Sequence, residues 1–296
     1  MKNSVRLPAF AKINLRLHVL GRRADGYHEL RTIFQAISLR DTLELSVGSR
    51  HGITLETNDK SLPAGPENLV VRAIEAFARE TGFRSGIRVR LEKRIPVARG
   101  LGGGSSDAAA ALIGMLRLTK RRLPLEQLME IASGLGADVP FFLFGGRALA
   151  VSRGDEIYPL PDTPRRTILV VSPHDIAIST KDAYQWVSAD LTKRAKPPNI
   201  WGFCALCWSR WGTVSNDFEE PVFRRHPRLG EIRDALLERG AAEAALAGSG
   251  SAVFGIFRNP AQARRAARKF PEDSVFVVET LSRGRYGRAL GWSAAG

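Results

Sequence analysis

Residues 100–111 read GLGGGSSDAAAA, with four glycines in five positions followed by two serines, an aspartate and a run of alanines. Glycine has no Cβ to hold an anion off the backbone, and alanine is the strongest helix former. A loop of the first kind ending in a helix of the second gathers backbone N–H groups and the positive end of a helix dipole at one place. The chemistry this suits is phosphate binding by the backbone and hydroxyls of Gly100–Ser106. Ser105 and Ser106 read as the helix cap and as hydroxyl donors. Asp107 reads as a carboxylate in the first helical turn, favoured by the dipole but repelled by polyphosphate; capping is preferred over metal binding. A glycine turn with a Ser/Asp cap and no ligand is the alternative reading.

The familiar phosphate loops do not fit. A Walker A motif needs lysine after its last glycine, and Ser105 follows Gly104. The same serine occupies the third glycine position of a dinucleotide fingerprint, and the HRD and DFG signatures of protein kinases are absent. A second glycine stretch, AGSGSAVF at 247–254, makes Gly248 and Gly250 either ligand contacts or a tight turn at a strand start. Two cysteines, Cys204 and Cys207 in CALC, lack the second pair of ligands that zinc requires and read as two thiols in an apolar, Trp-rich segment.

The elements that must position these residues follow from periodicity. AKINLRLHV alternates strictly, with Ala11, Ile13, Leu15, Leu17 and Val19 on one face and Lys12, Asn14, Arg16 and His18 on the other. This is a half-buried strand with one polar face, ended by Gly21 and followed by a loop with an Asp-Gly turn. TLELSV and ITLE read as further strands of an antiparallel sheet. Asn68 caps a helix whose apolar side carries Leu69, Val70, Ala73, Ile74 and Phe77. IRVRLEKRI is a strand running through Pro96 into the glycine loop. The alanine-rich helix extends to about Leu118, another helix lies near LEQLMEIASGLG, and 137–160 reads as a loop followed by strand pairs. The pattern restarts near TPRR with the strand TILVVSP. Helices follow near HPRLGEIRDALLERG and, behind Asn259 and Pro260, at PAQARRAARKF, with strands SAVFGIF and SVFVVETL around the last helix. Strands and helices mixed in each half give an α+β chain of two domains, 1–162 and 163–296.

Composition bounds the function. The chain has 296 residues, 44% of them hydrophobic, and a formal net charge of +14. That balance favours anionic partners. The basic residues are scattered in short clusters, without the long basic helix of a nucleic-acid binder, so most are solvated surface and no nucleic-acid partner is expected. No apolar run reaches the ~20 residues of a membrane span, and the N-terminus lacks a signal peptide's uninterrupted core. A cytoplasmic protein without a membrane partner is expected.

PVARGLGGGSSDAAAAL resembles the central phosphate loop of the GHMP small-molecule kinases. PAFAKINLRLHVLGRRADGYHELRTIFQAISLRDTLEL, ENLVVRA, GLGADVPFF, SNDFE and LAGSGSAVFGIF resemble, in order and over nearly the whole chain, the branch acting on a CDP-linked methylerythritol. The resemblance implies ATP-dependent phosphorylation of that substrate's 2-hydroxyl in the methylerythritol phosphate route to isoprenoid precursors, with Mg2+ accompanying ATP. It implies a two-domain fold with a left-handed βαβ unit and the active site in the cleft between domains. Asp138 matches the family's catalytic aspartate and Lys12 its partner; by residue type alone they read as a turn cap and a surface lysine. ATP falls to Val97, Ala98, Arg99, Gly100, Leu101, Gly102, Gly103, Gly104, Ser105 and Ser106, with Asn68 and Lys93 around the adenosine. Tyr27 and His28 match the pyrimidine-binding pair. Asn14, Phe34, Thr180, Tyr184, Gly248 and Gly250 match other substrate-side positions. The resemblance identifies no metal ligands. Ala98 and Arg99 stand where many members carry glycine, so Arg99 either adds a cation near phosphate or points into solvent.

Overall fold

The computed structural model describes residues 4–48, 51–190, 200, 203 and 214–294. Cys204, Cys207 and most of the segment KPPNIWGFCALCWSRW lie outside the described residues.

Two long strands form the backbone of the first half. β1 (Ser4–Arg22) and β2 (His28–Val47) pair antiparallel along their lengths, joined by the turn containing Asp25 and Gly26. TLELSV is therefore the far end of one 20-residue strand. β3 (Ile53–Thr57) leads through α1 (Leu69–Thr81) to β4 (Ile87–Glu92). Asn68 Oδ1 caps α1, accepting from Val70 N at 2.9 Å. β3 and β4 pair parallel, not antiparallel as the alternation suggested, because the intervening helix carries the chain back before the second strand begins. β4 stops at Glu92, short of Pro96, because the next amides turn aside: Arg94 N and Ile95 N both donate to Asp41 Oδ1.

The alanine-rich stretch forms α2 (Gly103–Thr119), followed by α3 (Leu125–Leu135). Residues 139–144, expected as loop, form the short helix α4 (Val139–Phe144), with Pro140 in its first turn and Gly145 closing it. β5 (Arg147–Ser152) and β6 (Glu156–Pro159) complete a seven-stranded sheet in which β3-β4-β2-β1 is followed by a two-residue strand, β8 (Ser215–Asn216), with β5 on β2 and β6 on β5. β8 is thus supplied by the second half of the chain.

The second half contains β7 (Thr167–Ser172), α5 (Thr180–Asp190), α6 (Glu219–Arg225), α7 (Pro227–Glu238), β9 (Glu243–Leu246), β10 (Val253–Phe257), α8 (Pro260–Ala267), β11 (Ser274–Glu279) and α9 (Arg283–Leu290). Its strands other than β8 form a four-stranded antiparallel sheet in the order β11-β7-β10-β9. The halves are sewn together by the β1–β8 pair and by a bridge between Ile37 and Thr280. Tyr286 and Leu290 of α9 return to the first core, where Tyr286 Oη donates to Phe142 O at 2.7 Å.

β1 departs from its alternation in an informative way. Its register against β2 shifts between Phe10 and Lys12 and again between Asn14 and Arg16. Ala11, Ile13 and Leu15 pack in the core between the two sheets, whereas Leu17 and Val19 pack in the core of the second half. The polar face expected in solvent is also buried: Lys12 is 4% exposed and Asn14 1%. A strand lying in the seam between two halves has no solvent side, so its polar residues must be paired or used.

Candidate active site

The glycine stretch gathers helix donors. Gly102, in a left-handed conformation, stands at the N-cap of α2, and no side chain caps this helix. Ser105 and Ser106 already lie inside the first turn, so the expected serine cap is not formed. Ser106 N is the first amide to bond back, to Gly102 O at 2.9 Å. The amides before it have no intrahelical acceptor, and they belong to residues lining the cavity. The two glycine stretches meet backbone to backbone. At Gly100, with φ of +81°, a Cβ would fall 1.8 Å from Ala247 O, and at Gly250 it would fall 2.1 Å from the Arg99 carbonyl carbon. Ala252 N donates to Arg99 O at 3.2 Å across the same junction. Arg99 is half-buried and engages the second half of the chain. Its guanidinium donates to Ser251 Oγ at 2.8 Å and to His174 O at 3.2 Å, tying the loop to the second half.

Lys12 sits beneath this junction. Its Nζ donates to Asn14 Oδ1 at 2.9 Å and lies 3.3 Å from Asp138 Oδ2. Asn14 Nδ2 donates to Thr32 Oγ1 at 2.7 Å, and Thr32 Oγ1 donates to Arg16 O at 2.6 Å. The amide orientation is fixed by these partners, and the chain of bonds holds the lysine. Phe34, whose ring centroid is 5.0 Å from Nζ, forms an apolar wall. Asp138 stands at the N-cap of α4 without capping it, and its side chain is one-third exposed, toward the cavity. The pair therefore joins a buried cation to an accessible carboxylate. Gly248, with φ of +58°, completes the arrangement: a Cβ there would lie 3.3 Å from both Lys12 Nζ and Asn14 Oδ1. Asn216 holds that turn, donating to Leu246 O at 2.9 Å and Gly248 O at 2.7 Å. SNDFE by itself gives Asn216 no role, because a turn-holding amide has no signature apart from the turn.

Beside the cradle, Lys93 Nζ is buried between Asp41 Oδ2 and Asp107 Oδ2, the latter at 2.7 Å. Asp107 therefore neither caps α2 nor faces a ligand as a free carboxylate; it is a buried partner of Lys93. One ammonium cannot balance two carboxylates. Asp41 also accepts the amides of Arg94 and Ile95, whereas Asp107 Oδ1 is buried without a hydrogen-bond partner. Burial accordingly pushes Asp107 up to about 8, against the opposing pull of Lys93, and the paired carboxylates hold the Lys93 ammonium above its ordinary value despite burial. Asn68 is equally committed, with Nδ2 donating to Pro63 O at 2.8 Å.

At the other end, His28 stacks on Tyr184 of α5 with ring centroids 4.7 Å apart and planes at 26°. Tyr184 is braced edge-on by Phe218, and burial, followed by the Asp138 charge, keeps its phenol protonated. Tyr27 is 56% exposed, with the Arg153 guanidinium 5.1 Å from its ring centroid. A cavity of about 1010 Å³ joins both ends. That is at or above the ~300–1,000 Å³ of a single small-ligand site, so there is room for two ligands. Of the residues assigned from sequence, all line it except Ser106, which is buried, and Gly250, which packs behind the loop. Arg22, Arg153, Lys181 and Ser188 also line it and were missed. Scattered basic and hydroxyl residues carry no pattern until the fold assembles them.

This is the architecture of a small-molecule kinase of the GHMP type. Residues 68–146 match the family described as GHMP kinases N terminal domain and residues 200–274 the GHMP kinases C terminal family. A crystal structure of 4-(cytidine 5'-diphospho)-2C-methyl-D-erythritol kinase superposes with a TM-score of 0.79 at 35% identity, covering 93% of this chain and 99% of that one. Homoserine kinase from Cytophaga hutchinsonii, at 20% identity and a TM-score of 0.69 over 95% of this chain and 96% of that one, shares the fold. The 4-diphosphocytidyl-2-C-methyl-D-erythritol kinase of Solibacter usitatus is 46% identical over 98% of this chain and 92% of its own length. That of Moorella thermoacetica is 43% identical over 93% and 98%. The chain belongs to the 4-diphosphocytidyl-2-C-methyl-D-erythritol kinase family, and it is a kinase with ATP as co-substrate. Among the described residues no helix is long and apolar enough to cross a membrane.

Proposed function

We propose that the chain transfers the γ-phosphoryl group of ATP to the 2-hydroxyl of 4-diphosphocytidyl-2-C-methyl-D-erythritol, with Lys12 and Asp138 at the reacting centre. The observation that carries this reading is the 3.3 Å Lys12–Asp138 pair inside a cavity with a glycine cradle at one end and the His28–Tyr184 stack at the other. The cradle's amides hold the ATP phosphates, and the aromatic end takes the cytosine. The acceptor hydroxyl is then presented to the γ-phosphorus beside Asp138.

A new bond forms from the hydroxyl oxygen to the γ-phosphorus while the bridge oxygen departs with ADP. Phosphoryl transfer is largely dissociative, so orientation and charge stabilisation outweigh early proton removal. Asp138 aligns the hydroxyl and takes its proton late. Lys12, held by Asn14, keeps the carboxylate in place. Magnesium would accompany ATP as part of that substrate and would neutralise charge on the phosphates; among the described residues no group of three His, Cys, Asp or Glu stands ready to hold a metal ion. With ATP as donor, the reaction belongs to the cytoplasm.

The test is ADP release dependent on 4-diphosphocytidyl-2-C-methyl-D-erythritol, with homoserine and mevalonate as comparison acceptors. Turnover should require the cytidine-linked alcohol and fall ~100-fold or more in Asp138→Asn with an unchanged melting temperature. Equal use of the other alcohols would overturn the substrate, and near-full turnover by Asp138→Asn would overturn the role of Asp138.

A further inference from the structure

Ser188 of α5 joins the aromatic end of the cavity through two hydrogen bonds. Its hydroxyl donates to Tyr184 O, one helical turn earlier, at 2.8 Å. His28 Nε2 lies 2.6 Å from the same Oγ. A serine hydroxyl has one proton, and it is already spent on a carbonyl that can only accept. The bond to His28 must therefore run the other way, with Nε2–H donating to Ser188 Oγ. A neutral imidazole protonated on Nε2 leaves Nδ1 as a bare acceptor. Burial, followed by the nearby Arg22 charge, holds His28 below its ordinary value and so keeps the ring neutral. Stacking on Tyr184 fixes the ring plane, and His28 lines the cavity. Among the described residues no protein group is hydrogen-bonded to Nδ1.

We propose that Ser188 is the positioning residue that sets the tautomer of His28, so that Nδ1 accepts a hydrogen bond from the exocyclic amine of the bound pyrimidine. Resting on the reading of the cavity as a cytidine-diphosphate site, this assigns the choice of base to a residue that needs no contact with it. Cytosine presents an amine donor where uracil presents a carbonyl acceptor. Against Nδ1, the first makes a hydrogen bond and the second sets two lone pairs face to face. Without the Ser188 acceptor, Nε2–H has no fixed partner, the two tautomers mix, and the preference for the amine is lost.

The experiment compares wild type, Ser188→Ala and Ser188→Thr, which restores a hydroxyl. Nitrogen chemical shifts of His28, assigned by their loss in His28→Gln among the five histidines, report the tautomer directly. Wild type and Ser188→Thr should show Nε2–H, and Ser188→Ala a mixture. Steady-state kinetics should show the KM for the cytidine-linked alcohol rising about tenfold in Ser188→Ala, the scale of one lost hydrogen bond, with kcat and the KM for ATP within twofold. The preference over the uridine-linked analogue should fall by a similar factor, with Ser188→Thr near wild type throughout. An unchanged tautomer in Ser188→Ala, or KM values for both substrates rising together, would overturn the proposal. A wild type that shows Nε2–H but does not turn over the cytidine substrate would instead overturn the substrate reading. The nitrogen shifts test Ser188 in either case.

Discussion

Gly248→Ala separates the cost of an unusual backbone from the cost of a misplaced lysine. Gly248 and Gly82 both adopt left-handed conformations, with φ of +58° and +63°. Alanine in that region costs roughly 1–2 kcal/mol at either site. For a chain of this size such a loss lowers the melting temperature by roughly 2–4 °C per kcal/mol. The surroundings differ. A methyl group at Gly82 meets nothing within 4 Å, whereas at Gly248 it lies 3.1 Å from Gly100 O and 3.3 Å from both Lys12 Nζ and Asn14 Oδ1. Relief there requires Lys12 Nζ to shift by a few tenths of an ångström, disturbing a 3.3 Å approach to Asp138. Misplacement at a reacting centre on the ångström scale costs up to about 100-fold in rate, so Gly248→Ala should lose ~10–100-fold in kcat. Gly82→Ala should lose none, and both should melt a few degrees early. Scanning calorimetry and steady-state ADP release provide the two readouts. Equal melting losses with wild-type kcat in Gly248→Ala would refute the claim that this turn sets the position of Lys12.

Asp107→Asn tests the crowded carboxylates beside the cradle. Because Asp107 in the folded protein is pushed above its unfolded value, to about 8, its contribution to stability is fully present near pH 4 and fades as pH rises toward 8. Between pH 6 and 8 the wild type should lose up to of order 1 kcal/mol per pH unit relative to Asp107→Asn. Parallel melting curves for the two proteins across that window would contradict it. Tyr27→Ala removes an exposed ring and its contact with Arg153. It should raise the KM for the cytidine-linked alcohol by roughly 5–150-fold, the range of one stacked base, and leave the KM for ATP in place; equal rises would place Tyr27 outside the pyrimidine site.

The sequence by itself determined what is local. The glycine–alanine junction dictates a loop feeding a helix, because freedom and helix propensity are properties of the residues there. Asn68 and Asn259 cap the helices they were assigned to, since a cap needs only its own first turn. Motif order identified the kinase class and brought Lys12 and Asp138 into view although 126 positions separate them. What only the tertiary structure decided is where the polar groups go. Alternation in β1 pointed Lys12 and Asn14 to solvent, but the second half of the chain covers that face. Charge alone could not seat Lys93 between Asp41 and Asp107, which come from three separate segments. Nor could it show that the Arg99 guanidinium donates to Ser251 and His174. Hydrogen-bond partners and burial are set by chain segments meeting across a fold, and the spacing of residues along the chain does not encode those meetings.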